Sequence, residues 1–132
     1  MTPEQTVLGA LTLPGEARSV RQARRFLHDL LPEHHPALDD LVLAASELVC
    51  NAIAHTRSGE PGGRVTVVVG RVAAALTLEI TDDGGGVHPP ATQDEDGGEG
   101  GRGLRIVDGL ATRWGYRTRG ERTTVWAEFG VR

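Results

Sequence analysis

Asp40–Thr56 reads DLVLAASELVCNAIAHT, and the rest of the chain is organised around it. Leu38, Leu41, Val42, Ala45, Val49, Ala52 and Ile53 recur at three- and four-residue steps, the spacing of one helix face packed on a core. Glu47, Asn51 and His55 stand at i, i+4 and i+8, so they line a second face. Asn51 is the only asparagine of the protein and occupies a helix interior, where asparagine is a mediocre former. Two readings are open on this stretch alone. The carboxylate, amide and imidazole form the rim of a binding cleft, or they are the solvated face of an ordinary amphipathic helix.

Around this helix the composition narrows the chemistry. A chain of 132 residues is expected to form one domain, residues 1–132, with a single core and no need of staples. The single cysteine, Cys50, leaves no internal disulfide framework and suits a reducing compartment. MTPEQTVLG at the start lacks a basic region followed by an apolar run, and no apolar stretch is long enough to span a bilayer. The expectation is a cytoplasmic protein without a membrane partner. Net charge is −4, and all 14 basic residues are arginine. The missing lysine excludes a P-loop, the strand lysine of eukaryotic-type protein kinases and Schiff-base chemistry. Mild acidity argues against a general nucleic-acid binder, which carries a basic footprint.

In chain order, Thr6–Leu13 reads as a strand closed by Pro14-Gly15, and Glu16–Leu31 as a helix with Arg18, Arg21 and Arg25 along an outer face. Pro32 and Pro36 bracket the break before the second helix, which runs to about Thr56. After the turn-rich Arg57–Gly63, Arg64–Gly70 and Ala75–Thr81 read as a hairpin. Asp82–Gly86 is a glycine turn, and Val87–Gly101 a polar loop of the length that lids have. Arg102–Leu110 reads as a short helix, and Arg113–Thr118 with Arg122–Phe129 as a final hairpin. Clustered helices and mostly antiparallel strand pairs give an α+β two-layer α/β sandwich: a mixed, mostly antiparallel sheet with helices on one face.

Two glycine clusters carry chemistry. Gly98-Glu99-Gly100-Gly101-Arg102-Gly103 satisfies G-x-G-x-x-G, yet an acidic loop precedes it where the dinucleotide fingerprint requires a strand. Its physical content remains open beside the plain reading of a flexible loop exit: glycines opening a helix let backbone N–H groups approach an anion. Asp82-Asp83-Gly84-Gly85-Gly86 follows the strand Leu76–Ile80 directly. A carboxylate at a strand end can accept hydrogen bonds from a ligand held against bare backbone, or it caps a tight turn.

Glu47-x-x-x-Asn51 on a helix, Asp82-x-Gly84-x-Gly86 after a strand, a loop, then Gly101-x-Gly103-Leu104 opening a helix: taken together, this order resembles the Bergerat ATP-binding fold of gyrase, heat-shock chaperones, sensor histidine kinases and mismatch-repair ATPases. The size, the leading strand and Asn51-Ala52-Ile53-Ala54-His55 look most like the bacterial anti-sigma-factor serine/threonine kinases. The resemblance implies ATP and Mg²⁺ as cofactors. It implies Glu47 as the base toward the acceptor hydroxyl, Asn51 as the Mg²⁺ ligand, and Asp82 as acceptor from the adenine amine. It further implies that Gly84 and Gly86 make room for base and ribose, and that Gly101, Gly103 and Leu104 offer amides to the β- and γ-phosphates under a lid of about 87–101. Thr123 fits the adenine-touching threonine of the last strand, with Thr124 the alternative, and His55 either approaches the nucleotide or ends the helix. Family kinases carry a basic residue before the second glycine run; Glu99 stands there, leaving Arg102 or Arg105 to substitute, and Asp94-Glu95-Asp96 adds negative charge to the lid. The partners implied are a sigma factor, an antagonist protein whose serine is phosphorylated, and a second copy of the chain, with no nucleic acid. Other readings are a non-catalytic module whose partner binding is gated by ATP, and a detached histidine-kinase catalytic domain.

Overall fold

Val65, Val67 and Val69 are fully buried while Arg64, Thr66 and Val68 between them are not, as one dry and one wet face require. The structure, a computed structural model, describes residues 5–85 and 99–130, with side chains from 104 onward in the second segment. In chain order it contains β1 (Thr6–Pro14), α1 (Arg18–Leu30), α2 (Leu38–His55), β2 (Arg64–Val72), β3 (Ala75–Asp82), α3 (Glu99–Leu110), β4 (Arg113–Arg119) and β5 (Arg122–Phe129). A single turn of 3-10 helix, Arg57–Gly59, follows α2. Strand ends fall within two residues of the sequence expectation.

The five strands form one sheet in the order β1-β2-β3-β5-β4, and every pairing is antiparallel. The expectation of a mixed sheet is corrected here, and the reason is topological. α1 and α2 run out and back, so β2 starts where β1 ends, with Pro14 opposite Arg64. β3 and β4 do run the same way, joined through α3, but β5 lies between them and opposes both. The two-layer α+β sandwich stands. α2 packs against α1, α3, β2 and β3, so it is the central helix of its layer. Its buried positions include Ala44, Ala45 and Ala52, small enough to let the helix approach the sheet and both flanking helices. Leu41, Leu48 and Val49 close the core against Val67, Leu78, Ile80 and Ala127.

The other sheet face is built for water, with Thr12 bonded to Thr66 at 3.1 Å, Thr81 to Thr124 at 2.7 Å, and Arg117 to Glu79 at 2.9 Å. α3 begins at Glu99 rather than Arg102, so glycines 100, 101 and 103 lie inside it. Glycine costs about 1 kcal/mol per interior position relative to alanine, and the packing of buried Leu104 and Val107 overrides that local preference. Among the described residues, no helix is long and apolar enough to cross a membrane.

Candidate nucleotide site

β3 ends on Asp82, which continues the inward face of Leu78 and Ile80 and is only 9% exposed. A carboxylate that deep requires hydrogen-bond partners. Its Oδ1 accepts the Gly84 N–H at 2.7 Å. Directly opposite on β5 stands Thr123, 3% exposed. Thr124 points to the other face, where its hydroxyl meets Thr81. Of the two threonines open in the sequence, Thr123 therefore shares a face with Asp82.

The turn after Asp82 is held by a strap that the sequence gives no periodic signal for. Thr56 donates its hydroxyl to the Ala52 carbonyl at 2.6 Å and accepts the Ser58 N–H at 3.0 Å, closing the end of α2. Fully buried Ser58 accepts the Asp83 N–H at 2.9 Å, and the Arg57 N–H donates to the Gly84 carbonyl at 2.7 Å. Asp83 Oδ2 accepts the Arg64 N–H at 2.8 Å. Gly84 has φ +86°, and a Cβ there would run into the Glu121 carbonyl oxygen. The C-terminal end of α2 is thereby fixed beside the end of β3. Arg57, Ser58 and Glu121 are the contributors that sequence reasoning missed; a Thr-x-Ser directly after a helix end is the only trace of them.

On α2, Glu47 and Asn51 are half-buried and His55, the last helical residue, is exposed. The helix thus carries its carboxylate and amide at the border between core and solvent, one turn apart. Gly101 falls in the first turn of α3, where N–H groups lack partners within the helix, and Gly103 lies farther in. Leu104 packs its side chain in the core, leaving only its backbone for any ligand. Gly86, residues 87–98 of the expected lid and the side chain of Arg102 lie outside the described residues. Arg105 is exposed.

No group of three or more His, Cys, Asp or Glu side chains fit to hold a metal occurs among the described residues. Half-buried Asn51 offers a hard amide oxygen, a donor of the kind Mg²⁺ accepts beside phosphate oxygens and waters. Beyond the strap lies a separate open cleft of about 510 Å³ between residues 57–63 and the β4–β5 turn. Its lining includes Arg57, Arg119 and Arg122 against Glu60, Asp83 and Glu121, so it presents no excess of either charge.

Comparison with known proteins points the same way. The Histidine kinase-like ATPase domain family matches residues 13–129. No curated protein sequence matches the chain. Among solved structures, that of the RsbU and RsbW domains of Rv1364c from Mycobacterium tuberculosis is similar in fold, with a TM-score of 0.66 at 20% identity. The match covers 92% of this chain and 32% of that one, so the present chain spans about a third of its neighbour's length.

Proposed function

This chain belongs to the histidine kinase-like ATPase family, and from that premise we propose that it is an ATP-binding regulatory serine/threonine kinase of the anti-sigma-factor type. The observation that carries the proposal is the pairing of buried Asp82 with Thr123 beside a glycine turn that is strapped to the end of α2. In this reading, the Asp82 carboxylate keeps Oδ1 on the Gly84 N–H and turns its second oxygen to the adenine amine, a donor that a carboxylate can accept. Thr123 adds a hydroxyl on the same face. Asn51 holds Mg²⁺, which neutralises phosphate charge when bound. Glu47, one turn earlier, takes the proton of the acceptor serine as the seryl O–P bond forms and the β–γ bridge breaks, releasing ADP. Open N–H groups in the first turn of α3 receive phosphate oxygens. His55 borders the nucleotide or simply ends α2.

The acceptor is a serine on an antagonist protein, and the chain also sequesters a sigma factor. The order of motifs supports this subgroup, and the fold likeness to a structure containing an RsbW domain accords with it. β1 is an edge strand with Val7 58% exposed, a place for a second copy to pair and form a homodimer. Calorimetry with Mg·ATP, followed by radiolabelled transfer to each antagonist encoded beside the gene, tests the proposal. Asp82→Asn should weaken ATP by about tenfold or more, since a charged acceptor becomes a donor facing a donor. Asn51→Ala should lose the Mg²⁺-dependent part of the affinity. Glu47→Ala should keep ATP and lose transfer by ~10²–10⁴-fold. Unchanged affinity in Asp82→Asn means that the cleft is wrongly assigned. ATP binding without transfer to any antagonist leaves a gated binding module instead.

A further inference from the structure

α1 and α2 pack through apolar side chains that include Ala23, Leu27, Leu41 and Leu48, and a polar contact joins them as well. Arg24 Nε donates to Ser46 Oγ at 2.8 Å, and the buried Ser46 hydroxyl donates its own proton to the Val42 carbonyl at 2.7 Å. The arginine is exposed beyond that anchor, and among the described residues no carboxylate lies within ion-pair distance of it. Its terminal nitrogens are therefore held in one place with donors to spare.

That place is next to the candidate base. Ser46 immediately precedes Glu47. At about 100° per residue, Asn51 lies roughly 40° to one side of Glu47 and His55 about 80° to the same side. Ser46 lies about 100° to the other side, and Cys50 about 60°. Glu47 thus separates the Asn51 flank of α2 from the flank that faces Arg24.

If the nucleotide occupies the Asn51 flank, the acceptor hydroxyl must reach Glu47 from the Arg24 flank. We propose that Arg24, anchored on Ser46, is the acceptor-binding cation of this kinase, gripping an anionic group of the acceptor segment at Glu47. That group is either a carboxylate flanking the serine or the phosphate after transfer. This inference rests on the kinase reading above. As the seryl O–P bond forms, the hydroxyl proton passes to Glu47, the β–γ bridge breaks and ADP leaves. The new phosphate monoester then faces a neutral Glu47 and a cationic Arg24, a pair that favours it.

Two measurements on the full chain separate this inference from its premise. The chain loaded with Mg·ADP is titrated with O-phosphoserine and, separately, with N-acetylglutamate, while the side-chain Nε–H resonance of Arg24 is followed. One or both probes should move that resonance, and Arg24→Gln should bind the effective probe roughly ten- to a hundredfold more weakly, the worth of a hydrogen bond to a charged group. The probe that acts tells phosphate from carboxylate. A resonance that neither probe moves, or equal binding by Arg24→Gln, overturns the inference whatever the acceptor is. With an antagonist that the wild type phosphorylates, Arg24→Gln should raise that antagonist's KM by a similar factor with ATP affinity unchanged. Arg24→Lys should recover part of the loss, and Ser46→Ala should fall between. A wild-type KM in Arg24→Gln counts against the inference. Absence of transfer by the wild type counts against the kinase reading alone.

Discussion

At Gly84 a single backbone angle holds three elements together. Its N–H bonds Asp82, its carbonyl accepts from Arg57, and its missing side chain lets the Glu121 carbonyl approach. Gly62 has nearly the same angle, φ +85° against +86°, but faces open space. The pair separates two costs. Gly62→Ala should lose only the price of a left-handed alanine, about 1–2 kcal/mol. Gly84→Ala adds a collision with backbone that has no soft direction to yield, so it should cost more and weaken ATP as well. Urea unfolding of both variants measures the difference, and equal losses would contradict the strap. At this scale the sequence singled out the types of residue, Asp82 and the glycines, because a carboxylate and bare backbone are legible without coordinates. It left Thr123 and Thr124 both open. Register puts Thr123 on the face of Asp82 and Thr124 on the other, since neighbouring positions on a strand point to opposite faces.

Among elements, α2 was the most legible and α3 the least. The apolar period of α2 fixes its inward face whatever it packs on, whereas the start of α3 lies among glycines that carry neither period nor cap. α2 also joins the two helical flanks electrostatically at Cys50. A thiol raised above its ordinary value stays protonated at neutral pH, so iodoacetamide should modify Cys50 slowly there and faster as the pH climbs. The sign of each neighbour follows from its charge. Arg24→Gln removes a cation that favours the thiolate and should move the rate profile to higher pH; Glu47→Gln removes an anion and should move it lower. A profile for Arg24→Gln that lies below the wild type's in pH would remove Arg24 from this flank.

Among the described residues, helices cover one sheet face, and the other carries hydrogen-bonded threonines and an Arg117–Glu79 ion pair of its own. α1 lies against the edge strand β1 and exposes Arg21 and Arg25. The expected three-arginine stripe is shortened by one, because Arg18 turns back to Glu16 at 2.7 Å. Such an ion pair between exposed groups contributes little to stability, yet it occupies the guanidinium. Under the proposed function, exposed Arg21 and Arg25 would steer an acidic partner. Reversing both to glutamate should slow partner association strongly at low salt and leave ATP affinity unchanged, an effect that fades as salt screens it. Stopped-flow rates equal to wild type at every ionic strength would return α1 to solvent.

The sequence by itself determined the α+β class and the order of elements, because helix periods, strand alternation and turn residues are local, and it singled out Glu47, Asn51, Asp82 and the glycines as candidates. Only the tertiary structure decided that the sheet is wholly antiparallel, since β5 inserts between two strands that run alike. It alone brought Ser58 to Asp83 across 25 positions and Arg24 to Ser46 across 22. Those contacts have no repeating spacing to announce them. They exist because burying the apolar faces of α1, α2 and the sheet leaves a few polar groups that must find each other in space.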